Sequence, residues 1–253
     1  MKKNIIIVIL IIALLGSVGY TVYDKVLKED STAEKEPQQE ETTKETEEYL
    51  ETTDQLVLDT MDKIDSALDY YCGTEKEYMK TEKVTVQDIT NEFAYATVMT
   101  RLTTETNSPI PASQLDKAID ETFGKDYQFE HKTYRSCPGY TYDAASGYYN
   151  FAGAECGGTC GPSNEKEIVK VRKTDKTLEI YERIVFANTE MSEGDKVAYC
   201  KDVNLKQVVG YLSSSDIQYN KEEVQKIVSK GSLYKFTFNL EDGTYVFVSS
   251  ELQ

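Results

Sequence analysis

Polar side chains are missing from Ile5 to Leu15, and apolar character continues, thinned by Gly16, Ser17 and Gly19, as far as Tyr23. Asn4 to Tyr23 is 20 residues, about 30 Å as a helix, which matches the hydrocarbon thickness of a bilayer. Lys2 and Lys3 precede this run, and such charges stay on the cytoplasmic side. The pattern therefore predicts a membrane anchor over 1–28, its helix at 4–23, with everything after it outside the cell. Tyr20 and Tyr23 suit the far interface. A cleaved signal peptide is the alternative, since Ser17 and Gly19 sit at the small positions of a cut before Tyr20. Either way the rest of the chain is exported.

The pattern then inverts. Residues 29–48 hold Ala33 as their one apolar side chain and cannot bury enough to offset ordering, so they read as a disordered acidic linker. The domain is expected from 49 to 253. It opens on a stripe of Leu50, Val57, Met61, Ile64, Leu68 and Tyr71 before Gly73, a helix with one apolar face. That face either packs on the domain or forms a short coiled-coil seam. Thr85–Asp88 and Ser113–Asp116 carry the spacing of capping boxes ahead of Ile89–Leu102 and Leu115–Phe123, and Gly124 ends the second. Asn220, with Glu223 three residues later, opens a short helix containing Val224, Ile227 and Val228, closed by Gly231.

Elsewhere the period is two. Tyr127, Phe129, His131 and Thr133 alternate with polar residues and predict a strand. Tyr140–Tyr142 and Tyr148–Phe151 flank Asp143–Gly147, and Ile168–Val171 and Leu178–Phe186 flank Thr174–Lys176. Tyr234–Phe238 and Tyr245–Val248 flank Asp242-Gly243, the clearest hairpin in the chain. Lys196–Cys200 adds a further strand. Helices followed by an antiparallel meander, then helix and hairpin, give an α+β fold with helices covering one face of a mainly antiparallel sheet.

Charge narrows the partners. The formal charge of −16 divides into +3 over 1–28, −9 over 29–54 and −10 over the remainder. Such a domain is repelled by nucleic acid. The five cysteines, Cys72, Cys137, Cys156, Cys160 and Cys200, lie on the oxidising side and read as disulfide-formers. The 138–155 hairpin brings its ends together, so Cys137 is expected to pair with Cys156 or Cys160. Cys200 is then expected to take the remaining one, leaving Cys72 free.

Catalytic signals are few. His131 is the single histidine, so histidine-rich metal sites are excluded and any Ser/His/Asp or Cys/His nucleophile needs this one residue. No catalytic residue, metal-ligand set or cofactor motif can be nominated, and selecting a carboxylate pair from 44 acids would be arbitrary. Cys156-Gly-Gly-Thr-Cys160 has C-x3-C spacing, which fits a pinned glycine loop better than a redox dithiol. Tyr140, Tyr142, Tyr148 and Tyr149 crowd one hairpin in a chain without tryptophan. They form either a ligand surface or the core's aromatic filling. Tyr148 and Tyr149 are adjacent and must point to opposite faces, so one is expected outside and one inside.

The lysine-led anchor, the acidic spacer, Phe123-Gly124-Lys125-Asp126 and the Tyr-x-Tyr-Asp…Gly-Tyr-Tyr hairpin beside a glycine-rich cysteine loop resemble uncharacterised membrane-anchored extracytoplasmic proteins of Gram-positive-type bacteria. The resemblance implies location and carries over no activity and no functional residue. The expectation is a membrane-anchored module that binds an envelope glycan or protein. A carboxylate-based hydrolase acting on glycan and a thiol-exchange protein are the alternatives.

Overall fold

The computed structural model describes residues 47–65, 77–102, 108–134, 139–153 and 164–253. The anchor at 4–23 and most of the acidic linker lie outside them. Among the described residues no helix is long and apolar enough to cross a membrane.

One strand organises the rest. In β7 (Thr177–Glu193) every even position from Leu178 to Asn188 is buried, while Val185 is buried on the opposite face. Successive side chains of a strand point to opposite faces, so this single strand floors two cores. Its first half lies between β6 (Glu165–Lys173) and β10 (Ser232–Glu241). Its second half pairs with β8 (Lys196–Cys200), which pairs with β9 (Val208–Ser213). β11 (Thr244–Leu252), β2 (Val84–Thr85) and β1 (Glu48–Leu50) complete a sheet of eight antiparallel strands, six in the order β1-β6-β7-β10-β11-β2 and two, β8 and β9, branching from β7. The β10–β11 turn puts Asp242 at φ 48° and Gly243 at φ 84°, the paired left-handed geometry that Asp-Gly supplies in tight hairpins.

The even face carries the main core. Leu178, Ile180, Ile184, Tyr234, Phe236 and Phe238 meet three helices there. These are α1 (Gln55–Asp65), α2 (Asn91–Leu102) and α3 (Ala112–Phe123). Val57, Met61 and Ile64 of α1 are buried against the domain, so its stripe packs inward, and Leu68 and Tyr71 lie outside the described residues. The odd face carries a smaller core of Val185, Tyr199, Leu212, Ile227 and Val228. The last two belong to α5 (Lys221–Val228), which follows α4 (Ser214–Tyr219). Helices therefore cover both faces of β7, where one covered face was expected.

Other expectations shift for local reasons. Leu50 lies in β1 rather than on α1, and Asp54 caps that helix by accepting from the Leu56 N–H at 2.9 Å. The acidic run enters the fold at its end: Glu47 reaches Arg172 at 2.9 Å and Glu48 reaches Lys173 at 3.4 Å. The Thr85/Asp88 box exists, but it closes a 3-10 turn at Val86–Asp88, and Thr90 caps α2 through the Phe93 N–H at 3.2 Å. α3 begins after Pro111, leaving Ser113 inside the helix. Asn220 caps α5 as expected. Tyr127–Thr133 forms no strand, although its burial alternates as far as His131. The tyrosine hairpin belongs to a separate three-stranded sheet, β3-β5-β4, built from Ile110–Pro111, Tyr148–Gly153 and Gly139–Asp143.

Candidate functional site

The hairpin turn is self-contained. Asp143 accepts from the Ala145 N–H at 3.0 Å and the Ser146 hydroxyl at 2.7 Å, and Gly147 takes φ +71°. Register then sorts the tyrosines. Tyr140 faces Phe151 and Tyr142 faces Tyr149, all on the inner side, whereas Tyr148 lies between Asp143 and Pro111 on the outer side. Tyr149 is 0% exposed and Tyr148 is 42% exposed, the asymmetry expected of the adjacent pair. The proposed four-ring ligand surface does not exist as such, because Tyr140 and Tyr149 are core residues and Tyr142 is half-buried.

His131 is held inside this cluster. Its Nε2 lies 2.8 Å from Asp116 of α3 and its Nδ1 lies 3.0 Å from the Tyr149 hydroxyl. Its ring stacks on Tyr142 at 5.3 Å and meets the edge of Phe129. Burial pushes the Tyr149 phenol well above its ordinary range. The chain runs from the half-exposed Asp116 carboxylate through His131 to the buried Tyr149 hydroxyl. It ties α3, the 124–134 segment and β5 together.

Beside the hairpin runs an open polar groove of about 690 Å³. One wall is Gln87 to Glu92 and the other is Lys132 to Tyr134. Its polar side chains are fixed from behind. Asp88 accepts from the N–H and hydroxyl of Thr85 at 2.8 and 2.7 Å, which hold its carboxyl below the ordinary range. Thr90 donates to Glu77 at 3.1 Å, Asn91 accepts from the Glu130 N–H at 3.3 Å, and Thr133 accepts from the Tyr142 N–H at 3.1 Å. Lys132 spans Glu130 at 2.6 Å and the Tyr134 ring at 5.4 Å. A frame of this kind lowers the ordering cost of binding.

No known family, curated protein or solved structure matches this chain.

A second cleft, of about 510 Å³, lies between α1 and β6–β7 and is lined by Asp59, Asp62, Asp65, Lys166 and Glu182. The Lys166 ammonium sits 2.5 Å from Asp65 and 4.0 Å from Glu182. A glycosidase acid–base pair leaves the space between its carboxylates for substrate; here an ammonium occupies it. Among the described residues no group of three or more His, Cys, Asp or Glu is placed to hold a metal.

Cys200, expected in a bridge, is a free buried thiol, and burial pushes it up, opposite to what an exchanging thiol needs. Cys137, Cys156, Cys160 and Cys72 lie outside the described residues, so the pairing proposed for Cys137 stands as a proposal.

Sequence reasoning missed the groove, Asp116 and the Lys166 cleft. Only Glu182 left a signal: it falls in phase with Leu178, Ile180, Ile184 and Phe186, a charge at a core position.

Proposed function

We propose that the protein is a membrane-anchored extracytoplasmic binding domain, and that the groove between Gln87–Glu92 and Lys132–Tyr134 takes an envelope glycan. The observation that carries this reading is the groove itself: amide, hydroxyl, carboxylate and ammonium groups face one open channel on a hydrogen-bonded frame. Sugar hydroxyls, which donate and accept, pair with such mixed linings. The overall charge of −16 repels polyanions and favours an uncharged or zwitterionic ligand. Location is supported by Lys2, Lys3 and the apolar run at 4–23. The acidic spacer then joins the domain at the edge strand β1, where Glu47 and Glu48 meet Arg172 and Lys173.

Binding is tested by co-sedimenting the purified protein with isolated, protein-free cell-wall glycan. Asn91→Ala combined with Gln87→Ala removes two hydrogen-bonding side chains, each worth about 0.5–1.5 kcal/mol, so retention should weaken roughly tenfold. Tyr219→Ala, at an exposed position on α4, should change nothing. Equal retention by all variants sinks the groove as the site. Orientation is tested separately: protease added to cells with permeable walls should remove the domain and leave a membrane-bound stub. A protected domain would reverse the topology.

A further inference from the structure

The Lys166 cleft has a chemistry that the groove does not use. Lys166 on β6 and Asp65 at the end of α1 are 2.5 Å apart, with side chains 30% and 26% exposed. Glu182, on the neighbouring strand β7, lies 4.0 Å from the same ammonium, and its side chain is 3% exposed. It replaces an apolar residue in the core-facing row of that strand. A carboxyl buried there is costly, and such placements concentrate where a group has a chemical task.

We propose that Asp65 and Lys166 condense into an intramolecular amide that staples α1 to β6, with Glu182 as the proton carrier. Burial penalises a charged pair relative to its neutral form, and proton transfer within the pair yields a neutral amine and a neutral acid. The Lys166 Nζ lone pair attacks Asp65 Cγ and forms the N–C bond. Glu182 takes the proton from Nζ and delivers it to the departing oxygen. The C–O bond breaks and one water leaves through the cleft, so amine plus acid becomes amide plus water. No oxidant, reductant or activated intermediate is needed. The reaction is unfavourable between separate molecules in water. Here the partners are already in contact, and well-oriented groups reach effective concentrations of about 10⁵–10⁸ M.

The inference is independent of what the groove binds. It is tested on the full chain extracted from membranes, by intact mass and tryptic mapping after reduction. The expected result is a mass one water below the sequence value, a branched peptide joining Asp65 to Lys166, and no tryptic cut after Lys166. Lys166→Arg and Asp65→Ala should each restore the missing water. The near-isosteric Glu182→Gln should leave most of the protein unbranched. Full mass in the wild-type protein, with linear peptides carrying unmodified Asp65 and Lys166, overturns the amide. Branching in Glu182→Gln equal to that of wild type overturns the role of Glu182.

Discussion

Replacing Tyr149 by alanine should lower stability by roughly 3–5 kcal/mol, whereas Tyr148→Ala should cost under about 1 kcal/mol. The two side chains are chemically identical and adjacent, so the contrast isolates environment. Tyr149 is fully enclosed, with its ring 4.9 Å from Tyr142 and 5.5 Å from Tyr95. Truncation leaves a cavity the size of a phenol between β5, β4 and α2. It also strips His131 Nδ1 of its partner at 3.0 Å, and a buried polar atom left unmatched adds about 1–3 kcal/mol. Tyr148 loses only a half-open contact beside Pro111. Urea denaturation of the two variants, read by tyrosine fluorescence and circular dichroism, measures both numbers. Equal large losses would place both rings in the core and remove Tyr148 as a contact residue.

The second large effect is steric. Gly231 precedes β10, and a Cβ there would lie 2.2 Å from the Ile184 carbonyl oxygen and 2.7 Å from its carbon. Neither atom can rotate aside, because Ile184 is paired with Ser232 in the β7–β10 ladder. Arg183 also donates to the Gly231 carbonyl at 3.1 Å, pinning the approach from the other side. Gly231→Ala must therefore push the two strands apart, at a cost of about 3 kcal/mol or more. Gly210 provides the comparison: a Cβ there meets the Ile227 side chain at 2.5 Å, a side chain rather than hydrogen-bonded backbone. Gly210→Ala should cost about 1 kcal/mol. Thermal melts of both variants decide it, and similar midpoints would show that β10 shifts freely.

Features whose determinants are local were legible beforehand. The Asp242-Gly243 hairpin, the Asn220 cap and the alternation from Leu178 onward each depend on residues within a few positions of one another. The failures depend on partners elsewhere. β1 joins the last residue of the acidic run, Glu48, to Tyr49 and Leu50, and Arg172 and Lys173 far along the chain pair with Glu47 and Glu48 there. Tyr127–Thr133 alternates like a strand, yet its hydrogen bonds build no ladder: the Tyr127 N–H goes to the Gly124 carbonyl, the Glu130 N–H to the Asn91 side chain, and the Thr133 hydroxyl accepts from the Tyr142 N–H. Without a ladder, alternation yields two faces but no sheet. Ser213 and Asp216 form a reciprocal cap for α4, a spacing visible in the sequence but with no apolar stripe after it to mark a helix. The opposed exposures of Tyr148 and Tyr149 followed from the pleat alone. The groove did not, because its two walls lie about forty residues apart and their segments meet through the Glu130 N–H on Asn91 and the Tyr127 hydroxyl on the Ile89 carbonyl.

β7 leaves one mark on how the molecule comes apart. Ile184 serves the larger core and Val185, its neighbour in sequence, serves the smaller. Losing either core strips one side of a strand that the other core uses as its floor. The two clusters therefore cannot act as separate foldons with separate opening equilibria. They melt as one cooperative unit, and the backbone amides along the middle of β7 share a single, global free energy of exposure to solvent.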